Sequence, residues 1–178
     1  GGPVGLATAL HAARAGLDVG IREPRSGGID KACGEGLMPA AVVALHDLGV
    51  DPGGHPIEGI RYVDGDRSAE ARFRHGPGRG VRRTVLHDSL RARVRDAGIV
   101  TDHVAVREVL DRGDHLLVDG EPTRYLIAAD GLHSRVRRLP PDDIHAELRR
   151  LQALVDKTAG PREREAMEYV THHVRAAL

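Results

Sequence analysis

The first 23 residues contain a glycine-rich turn, an apolar helix pattern, a short strand pattern and an acidic residue, in that order. The chain begins Gly1-Gly2-Pro3-Val4-Gly5, and apolar residues then recur at helical spacing, at Leu6, Ala9, Leu10 and Ala13. Gly16 is a natural helix stop. Residues 17–21 form a strand pattern, and Glu23 lies just beyond it. This order predicts a helix that begins at the glycine turn, with a carboxylate after the following strand.

The glycines match the later part of the fingerprint G-x-G-x-x-G, which joins a strand to a helix in dinucleotide-binding folds. Gly2 and Gly5 correspond to its second and third glycines, so the first glycine and the first strand would lie upstream of residue 1. Gly2 would let the backbone approach a pyrophosphate, and Gly5 would allow close helix packing. Free N–H groups at the helix start suit a phosphate, and Glu23 could accept ribose hydroxyls. The alternative is a glycine-rich turn before an ordinary helix.

Composition excludes several classes of function. Lys plus Arg and Asp plus Glu each number 26, so no long-range field favours nucleic acid or anionic membranes. One cysteine cannot form an internal disulfide, and the eleven histidines show no H-E-x-x-H arrangement, so we expect no metal site. No stretch reaches the roughly 20 apolar residues of a membrane helix. These observations predict a soluble, cytoplasmic protein with no membrane span.

The central part of the sequence predicts a small sheet and hairpin excursion, then a helix and further strands. Its predicted elements are a helix over 39–48, hairpin strands over 57–64 and 68–74, a loop over 76–80, a helix from Arg83 to about residue 96, and strands over 99–109, 114–118 and 123–129. The helix from Arg83 would bury one side, at Val85, Leu86, Leu90 and Val94. The last strand ends at Asp130-Gly131, where a ligand crevice is expected.

Residues 140–178 differ in character from the rest of the chain. Pro140-Pro141 interrupts the chain, and two apolar stripes at helical spacing follow, separated by Gly160-Pro161. We therefore predict a domain over 1–139 and a C-terminal helical hairpin over 140–178, which could mediate self-association or hold a partner.

Three motifs together resemble the flavin monooxygenase family typified by p-hydroxybenzoate hydroxylase, and more loosely the geranylgeranyl reductases. They are the opening turn through Glu23, the stretch from Arg83 to His87, and the stretch from Ala129 to Arg137, which is similar to the family's D-G-x-x-S-x-V-R. The resemblance covers residues 1 to about 138. It implies an α/β, Rossmann-like FAD-binding domain lacking its first strand. It also implies NAD(P)H as reductant and a small organic substrate.

The resemblance also implies roles for individual residues. The FAD pyrophosphate would be lined by Gly2, Pro3, Val4 and Gly5, and the adenosine ribose would be contacted by Glu23. Arg83 would approach the flavin side of the cofactor, Val106 would contact the adenine, and Asp130 would orient a network at the pyrophosphate. No catalytic residue is assigned.

Alternative functions remain open on the sequence. The loop containing Cys33-Gly34-Glu35-Gly36 resembles the C-G-x-G segment of the reductase branch, which saturates carbon–carbon bonds. Cys33 could equally be a buried small hydrophobe, and Glu35 a solvated loop residue. The family's second flavin motif does not follow Pro141. A further interpretation is therefore that the chain is an inactive fragment or a noncatalytic flavin-binding remnant. A plain NAD-dependent dehydrogenase is disfavoured by the hairpin over 57–74.

Overall fold

A computed structural model of the chain describes residues 1–28, 30, 33, 35–132 and 134. They divide into two compact units. Unit 1 comprises Gly1–Ser26 and the described chain from Ala97 onward, and unit 2 comprises Gly27–Asp96. The predicted C-terminal hairpin over 140–178 and His133 lie outside the described residues. The predicted domain boundary at residue 140 therefore stays a prediction.

The described elements alternate short strands with three helices. The helices are α1 (Pro3–Arg14), α2 (Pro39–Asp47) and α3 (Arg83–Asp96). The strands are β1 (Gly20–Arg22), β2 (Gly36–Leu37), β3 (His55–Ile57), β4 (Gly59–Asp64), β5 (Arg67–Arg72), β6 (Gly78–Gly80), β7 (Val100–Asp102), β8 (Val109–Asp111), β9 (Leu116–Val118) and β10 (Glu121–Thr123). The mixed α/β class is confirmed.

Unit 1 begins with α1, which leads into a parallel strand pair. The helix buries Leu6, Ala9, Leu10 and Ala12, close to the predicted apolar face. It ends as predicted at Gly16, where φ is +85° and the N–H groups of Gly16 and Leu17 donate back to Ala13 and Ala12. Strand β1 then pairs in parallel with β7, with Ile21 opposite Thr101. This geometry places the residue after β1, Glu23, at the carboxyl end of two parallel strands.

Unit 1 also contains an antiparallel sheet in the order β10-β9-β8. The β9–β10 loop is Asp119-Gly120, and both residues have positive φ, as a tight two-residue hairpin requires. Asp119 also stabilises the neighbouring loop, because its Oδ1 accepts the N–H groups of Arg107 and Glu108 at 2.9 and 2.8 Å. Its Oδ2 accepts the Arg22 guanidinium at 2.7 Å. Asp119 is thus a structural link between β1 and this sheet.

Two strand predictions in unit 1 are wrong in extent. The strand predicted over 99–109 is two strands, β7 and β8, and residues 103–108 between them belong to neither. Val106 therefore lies in a connection and not in a strand. The strand predicted over 123–129 overlaps β10 only at Thr123, and residues 124–130 pair with no strand of the described chain. An apolar run becomes a strand only where another strand can complete its ladder of hydrogen bonds.

Unit 2 contains the predicted hairpin and a small sheet, whose three short strands β2, β6 and β3 were not predicted individually. Strands β4 and β5 pair from Gly59 opposite Arg72 to Asp64 opposite Arg67, which confirms the hairpin. The loop predicted over 76–80 is wrong, because β6 forms there and is the middle strand of the order β2-β6-β3. A Cβ on Gly78 would lie 2.5 Å from the Leu37 carbonyl oxygen. Glycine permits this close approach of strands and hides their pattern in the sequence.

Helices α2 and α3 of unit 2 are confirmed at nearly the predicted positions. The buried face of α3 differs from the prediction, because it contains His87, Leu90 and Val94, whereas Val85 is 38% exposed. Spacings of three and four residues place the buried three on one side of the helix. Val85 precedes Leu90 by five residues and therefore faces another direction.

Candidate functional site

The amino end of α1 is an open group of backbone donors. Gly2 is the N-cap, with φ −77° and ψ 174°, and no side chain caps the helix. The Leu6 N–H donates to the Gly2 carbonyl at 2.9 Å. Pro3 has no N–H, and helix geometry leaves the N–H groups of Val4 and Gly5 without an intrahelical acceptor. The first turn contains no acidic residue. The positive end of the helix dipole is therefore available to an anion.

The opening glycines differ in what surrounds them. A Cβ on Gly2 would meet nothing within 4 Å, so the backbone there is open to a ligand. A Cβ on Gly5 would lie 3.3 Å from that of Ala129, which agrees with close packing of the helix. A Cβ on Gly1 would lie 2.4 Å from the Cγ of Glu23. Gly1 is thus a required glycine that sequence reasoning treated as the variable position of the fingerprint.

Glu23 is placed beside this turn by the end of the parallel strand pair. Its N–H donates to the Asp102 carbonyl at 2.9 Å, which continues the β1–β7 pairing by one residue. Its carbonyl oxygen lies 3.2 Å from His103 Nδ1. The side chain is buried, with a residue exposure of 6%, and its Oε2 lies 3.2 Å from the Gly1 nitrogen. The structure therefore brings the predicted acid to the predicted glycine turn.

Arg25 holds the Glu23 carboxylate in a fixed orientation. The Arg25 Nε donates to Oε1 at 2.6 Å, Nη2 donates to Oε2 at 2.7 Å, and the Arg25 N–H donates to Oε1 at 3.1 Å. The Arg25 guanidinium is the main cause that lowers the pKa of Glu23 from 4.5 to about 2, and burial opposes this shift. Glu23 is consequently an ionised acceptor at neutral pH. Apart from the proximity of Arg25 to the acid, no sequence pattern signals this role.

Unit 2 contains the other predicted cofactor contact, Arg83, at the first residue of α3. Its Nη1 atom is buried and has no hydrogen-bond partner among the described residues. The Arg83 N–H donates to the Glu35 Oε1 at 3.2 Å. Glu35 is exposed, but it is bound to the start of α3 and is not merely a solvated loop residue. Cys33 is exposed, so the expectation that it could be a buried hydrophobe is wrong.

The two remaining predicted contacts lie in unit 1. Val106 is half-buried in the connection between β7 and β8. Asp130 is exposed and precedes Gly131, whose φ is +79°. The Ser134 N–H donates to the Gly131 carbonyl at 3.0 Å. In the same unit, the Tyr125 hydroxyl is buried and has no hydrogen-bond partner among the described residues. Sequence reasoning did not select Tyr125.

Metal-ligand clusters and membrane-spanning helices are both absent from the described part of the chain. Within it, no three His, Cys, Asp or Glu side chains come together as potential metal ligands. The same residues include no helix with the length and apolar character needed to cross a membrane.

Sequence comparison finds similarity to curated reductases. The menaquinone reductase of Mycobacterium tuberculosis is 34% identical over 158 residues, a match that covers 77% of this chain and 37% of that enzyme. The chain thus spans well under half the length of this relative. A protein-family model described as "Protein of unknown function (DUF447)" matches residues 111–172.

Structural comparison finds similarity to flavoproteins and oxygenases. The 2-methyl-3-hydroxypyridine-5-carboxylic acid oxygenase has a TM-score of 0.63 and 26% identity, over 75% of this chain and 38% of that chain. A flavoprotein/dehydrogenase from Cytophaga hutchinsonii has a TM-score of 0.58 and 21% identity, over 68% of this chain and 34% of that chain, a likeness of fold alone. The chain is therefore similar to flavoprotein oxidoreductases. This agrees with the class of enzyme that the sequence motifs resemble, without selecting one family within that class.

Proposed function

We propose that this chain binds FAD as part of a flavin-dependent oxidoreductase. The observation that carries the proposal is the open amino end of α1 with the ionised Glu23 carboxylate beside it. Donors for an anion and an acceptor for hydroxyl groups lie at one turn. A nucleotide diphosphate joined to a ribose presents both of these complementary groups.

The residues of the turn fit the diphosphate for separate physical reasons. Gly2 leaves open space, and Val4 and Gly5 offer N–H groups at the positive end of α1. Pro3 fixes the helical backbone at a position where an N–H would have no partner within the helix. Together these four residues would hold the diphosphate without any lysine or arginine.

The adenosine part would be held by unit 1. Glu23 would accept the ribose hydroxyls, since an ionised carboxylate has acceptor positions beyond those that Arg25 occupies. By the family resemblance, Val106 would contact the adenine, and Asp130 would orient a network near the diphosphate. Asp130 carries the same charge sign as the diphosphate, so it would act through backbone donors or water.

Arg83 is proposed as a contact on the flavin side of the cofactor. Its buried Nη1 lacks an acceptor in the described chain, which fits a group held ready for a ligand. Bound FAD would supply the redox chemistry, and the protein residues would bind it, orient it and exclude water.

Two reaction classes are candidates for the bound flavin. An NAD(P)H-dependent monooxygenase acting on a small organic substrate agrees with the motif resemblance and with the structural likeness to an oxygenase. A flavin reductase agrees with the Cys33 loop and with the relative named menaquinone reductase, which would make a quinone the substrate. The same FAD-binding residues serve both.

An FAD titration of the 178-residue chain tests the binding site. We expect Glu23→Ala to weaken FAD affinity about tenfold or more, because it removes a charged hydrogen-bond acceptor. Glu121→Ala is the matched control, since Glu121 is an exposed glutamate at the start of β10. Equal FAD affinity of wild type and Glu23→Ala in equilibrium fluorescence titration would contradict the ribose assignment.

A second measurement distinguishes the two reaction classes. The FAD-loaded chain is mixed with NADH or NADPH without oxygen, and flavin bleaching reports which reductant is used. Adding oxygen or a menaquinone analogue then shows which one reoxidises the flavin faster. Quinone-dependent reoxidation would support the reductase, and substrate-stimulated oxygen uptake would support the monooxygenase.

A further inference from the structure

Glu35 has a backbone conformation that glycine adopts more easily. Its φ is +51°, in the left-handed region, and it is one of two non-glycine residues with positive φ in the described chain. The sequence places Gly34 and Gly36 on either side of it. A glutamate in this conformation stores backbone strain, and such strain often accompanies a functional requirement for the side chain.

The Glu35 residue makes two contacts with the chain that leads into α3. Its carbonyl oxygen accepts the Val81 N–H at 2.7 Å. Its Oε1 accepts the Arg83 N–H at 3.2 Å, across a sequence separation of 48 residues. The carboxylate therefore caps α3 and also interacts favourably with the positive end of its dipole.

The capped residue is the one with an unsatisfied side chain. The Nη1 of Arg83 is buried without a hydrogen-bond partner among the described residues, an arrangement that costs stability. The backbone of Arg83 is fixed by Glu35, while its guanidinium nitrogen lacks an acceptor. Arg83 thus combines a backbone N–H that is bound by the strained residue Glu35 with a buried side-chain donor that has no acceptor among the described residues.

We infer that Glu35 is a positioning residue, which fixes the start of α3 so that Arg83 presents its guanidinium to an acceptor group of the bound flavin nucleotide. This inference rests on the proposed function and deepens it by adding a residue that acts through Arg83. It also explains why a glutamate occupies a position where glycine would be less strained.

Two variants separate positioning from simple stabilisation. Glu35→Gly removes both the strain and the cap, so we expect little change in thermal stability but about a tenfold loss of FAD affinity. Glu35→Gln retains an oxygen acceptor, and we expect it to restore most of that affinity. A merely structural role predicts instead that stability and FAD affinity fall together in both variants, and that result would overturn the inference.

A double-mutant cycle tests whether Glu35 acts through Arg83. Once Arg83→Ala is present, Glu35→Gly should lower FAD affinity no further, because the side chain being positioned is gone. Asp119→Gly is the matched control, because Asp119 also has a φ of 51° and also accepts backbone N–H groups. The effect of Asp119→Gly on FAD affinity should simply add to the effect of Arg83→Ala.

The outcomes distinguish this inference from the proposed function. If wild type binds FAD and the effects of Glu35→Gly and Arg83→Ala are additive, the positioning role is wrong and the FAD site stands. If wild type shows no FAD binding in fluorescence titration, both are wrong. Loss of affinity in Glu35→Gly that disappears in the Arg83→Ala background supports both.

Discussion

Helices α1 and α3 begin in opposite ways, although each lacks a capping side chain from the residue that precedes it. The N-cap of α1 is Gly2, its first turn has no acidic residue, and no side-chain hydrogen bond caps it within the described residues. The start of α3 at Arg83 is capped by the Glu35 carboxylate, which comes from a loop far away in sequence. One helix end is open to an anion, and the other already has one.

The difference shows how the same helix physics can serve two purposes. Free N–H groups at a helix start need acceptors, which can come from water, a ligand or a side chain. At α1 no side chain of the described residues supplies the acceptor, and the nearby ionised Glu23 carboxylate accepts hydrogen bonds from Arg25. At α3 the protein supplies the acceptor itself and thereby fixes Arg83.

The largest expected effect comes from giving α1 the carboxylate that α3 has. Gly2→Asp fits the backbone conformation of an N-cap and should stabilise the fold by a few tenths of a kcal/mol. It should weaken FAD affinity about 100-fold, because the new carboxylate takes the same donors and repels the diphosphate. Urea unfolding and FAD fluorescence titration measure the two effects.

Gly2→Asn is the control for that variant. It fills the same open space without adding charge, so we expect a loss of FAD affinity of only about tenfold. Equal losses for Asp and Asn would show that charge at the end of α1 is irrelevant to binding, and the comparison between the helices would then fail.

The next effect is the pH dependence of stability that Glu23 contributes. Its folded pKa of about 2 lies below its ordinary 4.5, so the ionised carboxylate stabilises the fold above pH 4.5. That contribution is lost as the pH falls towards 2. We expect about 2 kcal/mol at neutral pH, because Arg25 is half exposed and solvent screens part of the interaction.

Urea unfolding of wild type and Glu23→Gln measures this contribution. The difference in their free energies of unfolding should be constant from neutral pH down to about pH 5 and should shrink at about pH 3. A difference that persists unchanged in acid would mean that the charge of Glu23 does not stabilise unit 1.

The smallest effect concerns Arg25, which orients Glu23. Arg25→Ala should raise the pKa of Glu23, since the guanidinium is the main cause that lowers it. The loss of stability should be about 1 kcal/mol, part of the roughly 2 kcal/mol that ionised Glu23 contributes, because Arg25 is half exposed and water replaces some of its hydrogen bonds. Carboxyl NMR titration reads the pKa directly. Arg22→Ala is the control, because Arg22 pairs with Asp119 and should leave the titration of Glu23 unchanged.

Sequence reasoning succeeded where local chemistry decides the structure. The end of α1 at Gly16 and the hairpin around Gly65 each depend on residues close in the chain, and each is found as predicted. It failed for β6, because a glycine-rich strand has no side-chain pattern and is recognised only through its partners β2 and β3. It failed for residues 124–130 for the opposite reason, since a strong strand pattern there has no partner in the described chain.

The candidate site divides in the same way. The donors of the opening turn and the acid after β1 could be read from the sequence, because glycines, a helix start and a strand follow one another within a few residues. The roles of Gly1 and Arg25 required the structure, since each depends on where the Glu23 side chain lies.

The sequence by itself determined that α1 begins in an uncapped glycine turn and that an acid follows the next strand, because both depend on the order of neighbouring residues. Only the tertiary structure decided that Glu23 is buried beside that turn and that Glu35 caps α3. The physical reason is that a carboxylate acquires its role from the donors around it. Those donors are brought to it by strand pairing and by contacts between residues far apart in the chain.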